Sequence, residues 1–433
     1  MPSKYRLRER GAQLYALLTS GDSFRHGSWL FFATILGSAG LYVFHLVASR
    51  RLGPESYGVL ASLLAIVALI AFSSAVGTTI VARFAAEFHA MREPGRLARL
   101  SDLVAWACAI ILGLGGVAAL ALRTQIAIFL HIDTYAIVEL TVILTALSIA
   151  VALLRGMQQG AQRFSALSLS QLIENVGRAG LGLAGVALGY GVRGALAGQA
   201  LASAASLVYT FADVRLHFAS RPEKMRIDLQ RLFVTTLGIA SAFFALAMLV
   251  HIDIILAKHY LSAYEAGLYG VATLPGRAIT TVVAFLPVLV LPKSTARAAE
   301  GKSGTGLLLW GIGLAATFSL AGLVVFYFFP LQIVHVIAGG AYDAAAPLVF
   351  PYGCAAAMYG LASIAVSYRT GQGRFDFAFP LVLTVIGEVV AIANYHANAA
   401  DIIRVLIVAN GLALVVSLLP LSAMTKRMSQ RDR

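Results

Sequence analysis

Residues 58–80 read GVLASLLAIVALIAFSSAVGTTI, a run of 23 residues that contains no charged side chain. An α-helix needs about 20 predominantly apolar residues to cross the hydrocarbon core of a bilayer. The run therefore predicts a membrane-spanning helix, and the rest of the chain has the same character.

The composition as a whole is that of a membrane protein. Of 433 residues, 59% are hydrophobic and 12% are charged, with a mean hydropathy of +0.82, whereas soluble domains contain about 25% charged residues. Eleven further apolar runs are long enough to span a bilayer. They are centred on 29–49, 102–122, 135–154, 166–189, 194–214, 232–256, 266–291, 306–329, 345–367, 377–397 and 402–424. The sequence predicts an all-α polytopic membrane protein with about twelve transmembrane helices.

The basic residues alternate between the connections of these twelve runs. Of the 33 Lys and Arg residues, 25 lie on segments that share a side with the N-terminus and 6 lie on the opposite side. Cytoplasmic segments carry the excess of Lys and Arg in membrane proteins, so we expect both termini in the cytoplasm. Arg83, Arg155 and Arg163 are interpreted as topology determinants at the inner mouth. Because topology explains the basic residues, no nucleic-acid partner is expected.

Twelve spans divide evenly into two lobes. We expect a cytoplasmic lead-in over 1–28, an N-lobe over 29–214, a cytoplasmic linker over 215–231, a C-lobe over 232–424 and a cytoplasmic tail over 425–433. Two six-helix lobes that both begin in the cytoplasm form a parallel repeat about an axis along the membrane normal.

A short internal repeat supports this division. Residues 52–60 and 261–269 both follow the first span of their lobe, and Leu52 and Gly58 align with Leu261 and Gly267 at a constant offset.

Several segments carry a resemblance to a known family. They are Arg51-Leu-Gly-Pro-Glu-Ser-Tyr-Gly58, Ala82-Arg-Phe-Ala-Ala-Glu87, Arg155-Gly-Met-Gln-Gln-Gly-Ala-Gln-Arg-Phe164 and Gln171 to Arg178, followed by Asp253, Gly267-Leu-Tyr-Gly270, Pro287, Pro292-Lys293 and Gly340-Ala-Tyr342. With them the chain resembles the polysaccharide-biosynthesis (oligosaccharide or O-antigen-type) flippases of the multidrug/oligosaccharidyl-lipid/polysaccharide exporter superfamily. The likeness is scattered over about 50–375.

The resemblance implies a carrier in the bacterial inner membrane. Its cargo would be an oligosaccharide linked to undecaprenyl pyrophosphate, moved to the outer leaflet by alternating access for export of a surface polysaccharide. The expected partners are this lipid-linked oligosaccharide, the membrane lipids, a polysaccharide polymerase and glycosyltransferases. A cation-coupled multidrug antiporter of the same superfamily is the alternative.

An enzyme is not expected. The outer connections are too short for a catalytic domain, and neither a Walker A segment nor an H-E-x-x-H zinc motif occurs in the sequence. The G-x-G-x-x-G pattern at Gly180–Gly185 lies inside an apolar run with no strand before it. We interpret it as a helix-packing stripe rather than a dinucleotide site, so no cofactor or metal is expected.

Charged residues inside the spans are the candidates for substrate binding. Arg binds phosphate bidentately, and an intramembrane charge usually faces a partner or water. Arg277 and Arg178 are therefore candidates for contacting the pyrophosphate, with Glu174 and Asn175 beside Arg178 on the same helix. A shallow, snorkelling position is the alternative for Arg277. For Arg178 the alternative is an internal ion pair with Glu174, four residues earlier.

Buried carboxylates are the candidates for energy coupling. Glu388 and Asp253 lie in predicted spans and are expected to bind a proton or another cation, with His251 as a possible relay for Asp253. The alternative places Asp253 close to the outer surface, where it would pair with Lys258.

Overall fold

The computed structural model describes residues 21–221, 223, 229–299 and 304–419. The predicted tail lies outside these residues, as do most of the predicted lead-in and the middle of the predicted linker. The described chain is helical and contains no β-strand.

Thirteen α-helices follow one another along the described chain. They are α1 (Gly21–Ala90), α2 (Pro94–Leu130), α3 (Tyr135–Gly160), α4 (Phe164–Ala187), α5 (Gly191–His217), α6 (Leu229–Tyr260), α7 (Ala263–Val283), α8 (Phe285–Ala299), α9 (Thr305–Phe328), α10 (Pro330–Ala338), α11 (Ala346–Gly371), α12 (Ala378–Asn394) and α13 (Ala399–Leu418). A short 3₁₀ helix, Gly340–Ala345, joins α10 to α11.

The α1 helix is 70 residues long and contains two predicted spans. It is interrupted at Gly53, whose φ of 72° and ψ of 171° are not helical, and Pro54 follows. Glycine adopts positive φ without steric cost, and proline cannot donate the backbone hydrogen bond that would continue a helix. The Leu-Gly-Pro-Glu segment is therefore the turn between the first two spans.

The eighth predicted span is divided between α7 and α8. Proline clashes with the carbonyl four residues earlier in a helix. The residue four before Pro287 is Val283, where α7 ends.

All twelve predicted spans lie on helices. Nine helical segments of the described chain are long and apolar enough to cross a membrane, and one of them, Leu36–Ala90, covers two predicted spans. The two other predicted spans lie on α12, which is apolar but shorter, and on α4, which carries charged residues. The prediction of an all-α polytopic protein with about twelve transmembrane helices is confirmed.

The described chain packs into two compact units. The first contains residues 21–45, 77–119 and 142–223, and the second contains 46–76, 120–141 and 229–419.

In the first unit, α4 and α5 pack closely through glycine. A Cβ atom on Gly185 would lie 2.3 Å from the carbonyl oxygen of Gly194, and one on Gly198 would lie 2.2 Å from that of Leu181. The helix-packing interpretation of the glycine stripe is thus correct for Gly185, whereas Gly180 has open space around it.

In the second unit, the two repeated glycines lie against each other. A Cβ atom on Gly58 would lie 2.8 Å from the backbone nitrogen of Gly267, and one on Gly267 would lie 2.0 Å from the carbonyl oxygen of Pro54. Equivalent positions of a two-fold repeat meet only at the symmetry axis, as in an isologous interface. The contact is the one expected if residues 52–60 and 261–269 are related by the predicted parallel repeat.

Within the second unit, Arg369 on α11 caps the end of α13. Its side chain is 6% exposed and forms an ion pair with Asp376. Nη1 also donates to the carbonyl oxygens of Val416, Ser417 and Leu419 at 3.2, 3.2 and 2.8 Å. The last carbonyls of a helix have no partner within the helix, and a cation there also favours the helix dipole.

Candidate functional site

The predicted site residues fall into two groups of buried and half-buried polar residues, one in each unit. Glu174, Asn175 and Arg178 lie on α4 in the first unit. Asp253, Arg277 and Glu388 lie in the second unit, on α6, α7 and α12 respectively. The two groups differ in how well their charges are paired.

In the first unit, Glu174 bridges two arginines. Its Oε1 lies 2.8 Å from Nη2 of Arg178, and its Oε2 lies 2.7 Å from Nη1 of Arg155. The Ser203 hydroxyl donates to Oε1 at 3.3 Å. We call Arg155, Glu174 and Arg178 the Glu174 cluster.

Other donors of the Glu174 cluster are also used. Nε of Arg178 donates to the Ser203 hydroxyl at 3.0 Å, and Nη2 of Arg178 donates to the Ser148 hydroxyl at 2.6 Å. Nε and Nη2 of Arg155 donate to the hydroxyl and the carbonyl oxygen of Ser170, both at 2.8 Å. The internal ion pair predicted for Arg178 is therefore present. Well-satisfied charges of this kind fit a structural role as readily as a ligand-binding one.

The contacts of Asn175 and Arg155 differ from those predicted from the sequence. Asn175 packs against α1, because a Cβ atom on Gly37 would lie 2.6 Å from its Nδ2. Arg155, interpreted from the sequence as a topology determinant, has a side chain that is 16% exposed and belongs to the Glu174 cluster. No spacing within one helix links Arg155 on α3 to Glu174 on α4, so only the packing of the two helices brings them together.

In the second unit, Asp253 is fully buried among tyrosines. The hydroxyl groups of Tyr269 and Tyr352 donate to its Oδ2 at 2.7 and 3.2 Å. Its Oδ1 has no hydrogen-bond partner among the described residues. Both tyrosines are buried and were not recognised from the sequence as parts of the site, since a lone Tyr in an apolar run carries no signal of its own.

The alternative that pairs Asp253 with Lys258 is wrong. Lys258 interacts electrostatically with Asp133 and Glu55 instead. Asp253 is thus a buried carboxyl held by hydroxyl groups rather than half of an ion pair with Lys258.

Arg277 lies beside this carboxyl on α7. It interacts electrostatically with Asp253, Tyr57 and His251. Its Nε and Nη2 atoms are buried and have no hydrogen-bond partner among the described residues. Guanidinium nitrogens that are buried without a partner carry a large desolvation cost, and the oxygens of an anion are the acceptors that would offset it.

Glu388 is the other buried carboxyl among the predicted site residues of this unit. It is 2% exposed, and neither of its carboxylate oxygens has a hydrogen-bond partner within the described chain. It interacts electrostatically with Asp253. We call Asp253, Arg277 and Glu388 the Asp253 cluster. It contains two acids and one base, so a proton or another cation would balance its charge.

His251 also lies close to the Asp253 cluster. Its Nδ1 has no hydrogen-bond partner in the described part of the chain, and it interacts electrostatically with Arg277. The relay predicted between His251 and Asp253 stays a prediction. Among the described residues, no group of three or more His, Cys, Asp or Glu side chains is arranged to hold a metal ion.

Comparison with solved structures identifies the fold. An inward-facing multidrug resistance MATE family transporter of the MOP superfamily is similar over 90% of this chain and 96% of its own, with 15% identity and a TM-score of 0.63. The lipid II flippase MurJ in an inward closed conformation is similar over 91% of this chain and 87% of its own, with 13% identity and a TM-score of 0.65. A MOP superfamily transporter from Pyrococcus furiosus is similar over 92% and 96%, with 14% identity and a TM-score of 0.58.

Comparison of the sequence identifies the family. A search of curated proteins gives no significant match. The family model described as polysaccharide biosynthesis protein matches residues 23–292, more than half of the chain. The resemblance inferred from the sequence motifs is confirmed: the chain is a multi-pass membrane protein that belongs to the polysaccharide biosynthesis protein family and has the fold of MOP superfamily transporters and flippases.

Proposed function

We propose that this protein flips an oligosaccharide linked to undecaprenyl pyrophosphate from the inner to the outer leaflet of a bacterial inner membrane. Transport proceeds by alternating access of the two predicted lobes and serves the export of a surface polysaccharide. The observation that carries the proposal is Arg277, whose Nε and Nη2 are buried without a hydrogen-bond partner among the described residues. A pyrophosphate supplies the acceptors that these donors lack.

Arg277 is the primary phosphate ligand in this proposal. It follows Pro275 and Gly276 in α7. Gly276 allows the close approach of α11, because a Cβ atom on Gly276 would lie 2.5 Å from the ring of Tyr352. Arg178, with Glu174 and Asn175, is the second proposed substrate-binding group. Its guanidinium already has three partners, so substrate would have to compete with Ser148, Ser203 and Glu174 for its donors.

We propose Asp253 and Glu388 as the coupling site. Two buried carboxyls with free oxygens and one nearby guanidinium leave room for one bound proton or metal cation. Intramembrane acids of transporters commonly carry ions or protons. Exchange of this cation with the two sides of the membrane would give the flipping step its direction.

The multidrug antiporter remains the second candidate. The specific observation in its favour is the acidic and aromatic character of the Asp253 cluster, where Tyr57, Tyr269 and Tyr352 are all buried. Aromatic faces and carboxylates bind cationic drugs. The unsatisfied Arg277 in the same cluster favours an anionic headgroup instead.

The decisive experiment measures lipid-linked oligosaccharide in each leaflet of cells that lack the protein. We expect accumulation on the cytoplasmic leaflet and loss of surface glycan. Plasmid-borne wild-type protein should restore export, Arg277→Ala should fail to restore it, and Arg96→Ala should restore it as a matched control. Arg96 forms an exposed pair with Glu93 and its side chain is 42% exposed. Normal export in the deletion strain, with altered sensitivity to cationic drugs, would replace the flippase by the antiporter.

A further inference from the structure

A groove of about 710 Å³ runs along the second unit between α12 and α13. The α12 residues that line it follow one another at helical spacing and form one face, as do those of α13. They are Pro380, Leu383, Thr384, Gly387, Glu388, Ala391 and Tyr395 on α12, and Asp401, Arg404, Val405, Val408, Ala409 and Leu412 on α13. Its volume is that of a site for a drug-sized molecule.

The walls of the groove are mostly apolar and face outward. Leu383, Val408 and Leu412 are 50, 62 and 52% exposed in the protein alone. In a chain of this fold, such residues on two membrane-spanning helices lie against lipid. A molecule that enters this groove can therefore come from the hydrocarbon phase of the membrane.

The charges of the groove are unevenly matched. Arg404 donates to Asp401 at 2.8 Å, so these two side chains neutralise each other at one end. Glu388 lies about midway along α12, is 2% exposed and has no hydrogen-bond partner among the described residues for either carboxylate oxygen. The groove thus has one unmatched acidic group, set in apolar surroundings.

We propose that the groove between α12 and α13 binds amphiphilic amines from the membrane, with the ammonium donating to Glu388 and the hydrocarbon chain lying along the α12 and α13 side chains. An ammonium supplies both the positive charge and the N–H donors that a buried carboxylate needs. The chain supplies apolar area to the walls. The site shares Glu388 with the coupling site proposed above, and it assigns to this face a ligand of the opposite charge to a pyrophosphate.

The test uses the full-length protein in lipid nanodiscs and tritiated dodecylamine as the probe. Saturable binding is measured near neutral pH, where an aliphatic amine is protonated, after subtraction of empty nanodiscs. Dodecanol and dodecyl phosphate serve as competitors with the same chain. We expect dodecylamine to bind about tenfold more tightly than dodecanol, the factor given by one hydrogen bond to a charged group.

Three variants separate the charge from the shape of the groove. Glu388→Gln keeps the shape and should lower the affinity for dodecylamine to that of dodecanol. Gly387→Phe should remove saturable binding of both, because Gly387 lines the groove and a Cβ atom there meets nothing within 4 Å. Gly313→Phe on α9 is the matched control, since Gly313 is exposed and also has open space. It should bind dodecylamine like wild type.

Three results would overturn the proposal. The first is equal affinity for the amine, the alcohol and the phosphate in wild type, which means that the groove selects only a chain. The second is a preference for dodecyl phosphate, which places an anion at Arg404. The third is unchanged amine binding by Glu388→Gln. Thermal unfolding of each variant verifies that a loss of binding is not a loss of fold. The result says nothing about export of glycan, so its failure leaves the flippase proposal standing.

Discussion

Replacing Glu174 by Gln separates the structural role of the Glu174 cluster from a role in substrate binding. In wild type the Glu174 carboxylate lies 2.7 and 2.8 Å from two guanidinium nitrogens. The side chains of Arg155, Glu174 and Arg178 are 16, 6 and 23% exposed. The substitution therefore leaves two like charges close together in a largely buried place. Removal of one partner from a buried ion pair costs about 3–5 kcal/mol, and we expect this loss of unfolding free energy.

Arg178→Met is the variant with which the stability of Glu174→Gln is compared. That substitution leaves Glu174 paired with Arg155 and removes one ion pair and two hydrogen bonds to hydroxyl groups. The expected loss is about 1–3 kcal/mol, because the remaining carboxylate keeps a partner. Glu174→Gln should thus be clearly less stable than Arg178→Met, in spite of being the smaller chemical change.

The assay is reversible unfolding of the purified protein by SDS titration in mixed micelles, with glycan export in cells measured per folded molecule. A structural cluster predicts that export falls only in proportion to folded protein. If Arg178→Met unfolds like wild type while export is abolished, Arg178 is a substrate ligand and the structural interpretation is refuted. Equal stability of Glu174→Gln and wild type would show that the buried triad does not contribute to folding.

Three further predictions follow from the second unit. Gly267→Ala should lower the free energy of unfolding by about 1–3 kcal/mol, because the new Cβ atom overpacks against the carbonyl oxygen of Pro54. Gly113→Ala on α2 should be neutral or stabilising, because a Cβ atom there meets nothing within 4 Å. Equal thermal shifts for the two would contradict the close contact. Arg369→Gln should cost about 3 kcal/mol, because three carbonyl oxygens at the end of α13 lose their cation and the half-buried Asp376 keeps its longer ion pair with Arg374, at 3.6 Å. SDS titration measures this loss, and a loss below about 1 kcal/mol argues against the cap. Asp253→Asn should tighten binding of undecaprenyl pyrophosphate to the protein in nanodiscs by about tenfold, and weaker binding would exclude the arrangement proposed for Arg277.

Much of the fold could be predicted because the bilayer imposes a simple rule. A helix that crosses hydrocarbon must be long and apolar, so residues 58–80 and the other runs are visible without knowledge of their neighbours. The sequence places Leu-Gly-Pro-Glu between the first two spans, and the structure shows that Gly53 and Pro54 make the break there by acting on the backbone locally. The α4 helix was found in spite of its charges because it retains enough apolar residues around Glu174 and Arg178.

The sites were less predictable because they depend on contacts between helices. Glu174 and Arg178 are four residues apart and were recognised as a pair, whereas Arg155 joins them only through the packing of α3 on α4. The pairing of Asp253 with Lys258 could have been rejected from geometry alone. Residues five apart point about 140° away from each other on a helix. The tyrosines that hold Asp253 required the positions of α7 and α11.

The proximity of Arg277 to Asp253 distinguishes the two candidate functions by the sign of their coupling. A cation bound at Asp253 reduces the attraction between its carboxylate and Arg277, and so favours an anion at Arg277. Linkage is reciprocal, so an anionic headgroup at Arg277 must favour the cation at Asp253 by the same factor. A flippase built on this cluster therefore binds cation and pyrophosphate in the same state. An antiporter of cationic drugs needs the reverse, because drug and coupling cation would compete for the same carboxyls. The charge order of the Asp253 cluster, with a base beside two acids, fits the cooperative scheme, since an anionic headgroup at Arg277 would offset the guanidinium charge that otherwise repels any cation bound at the two acids.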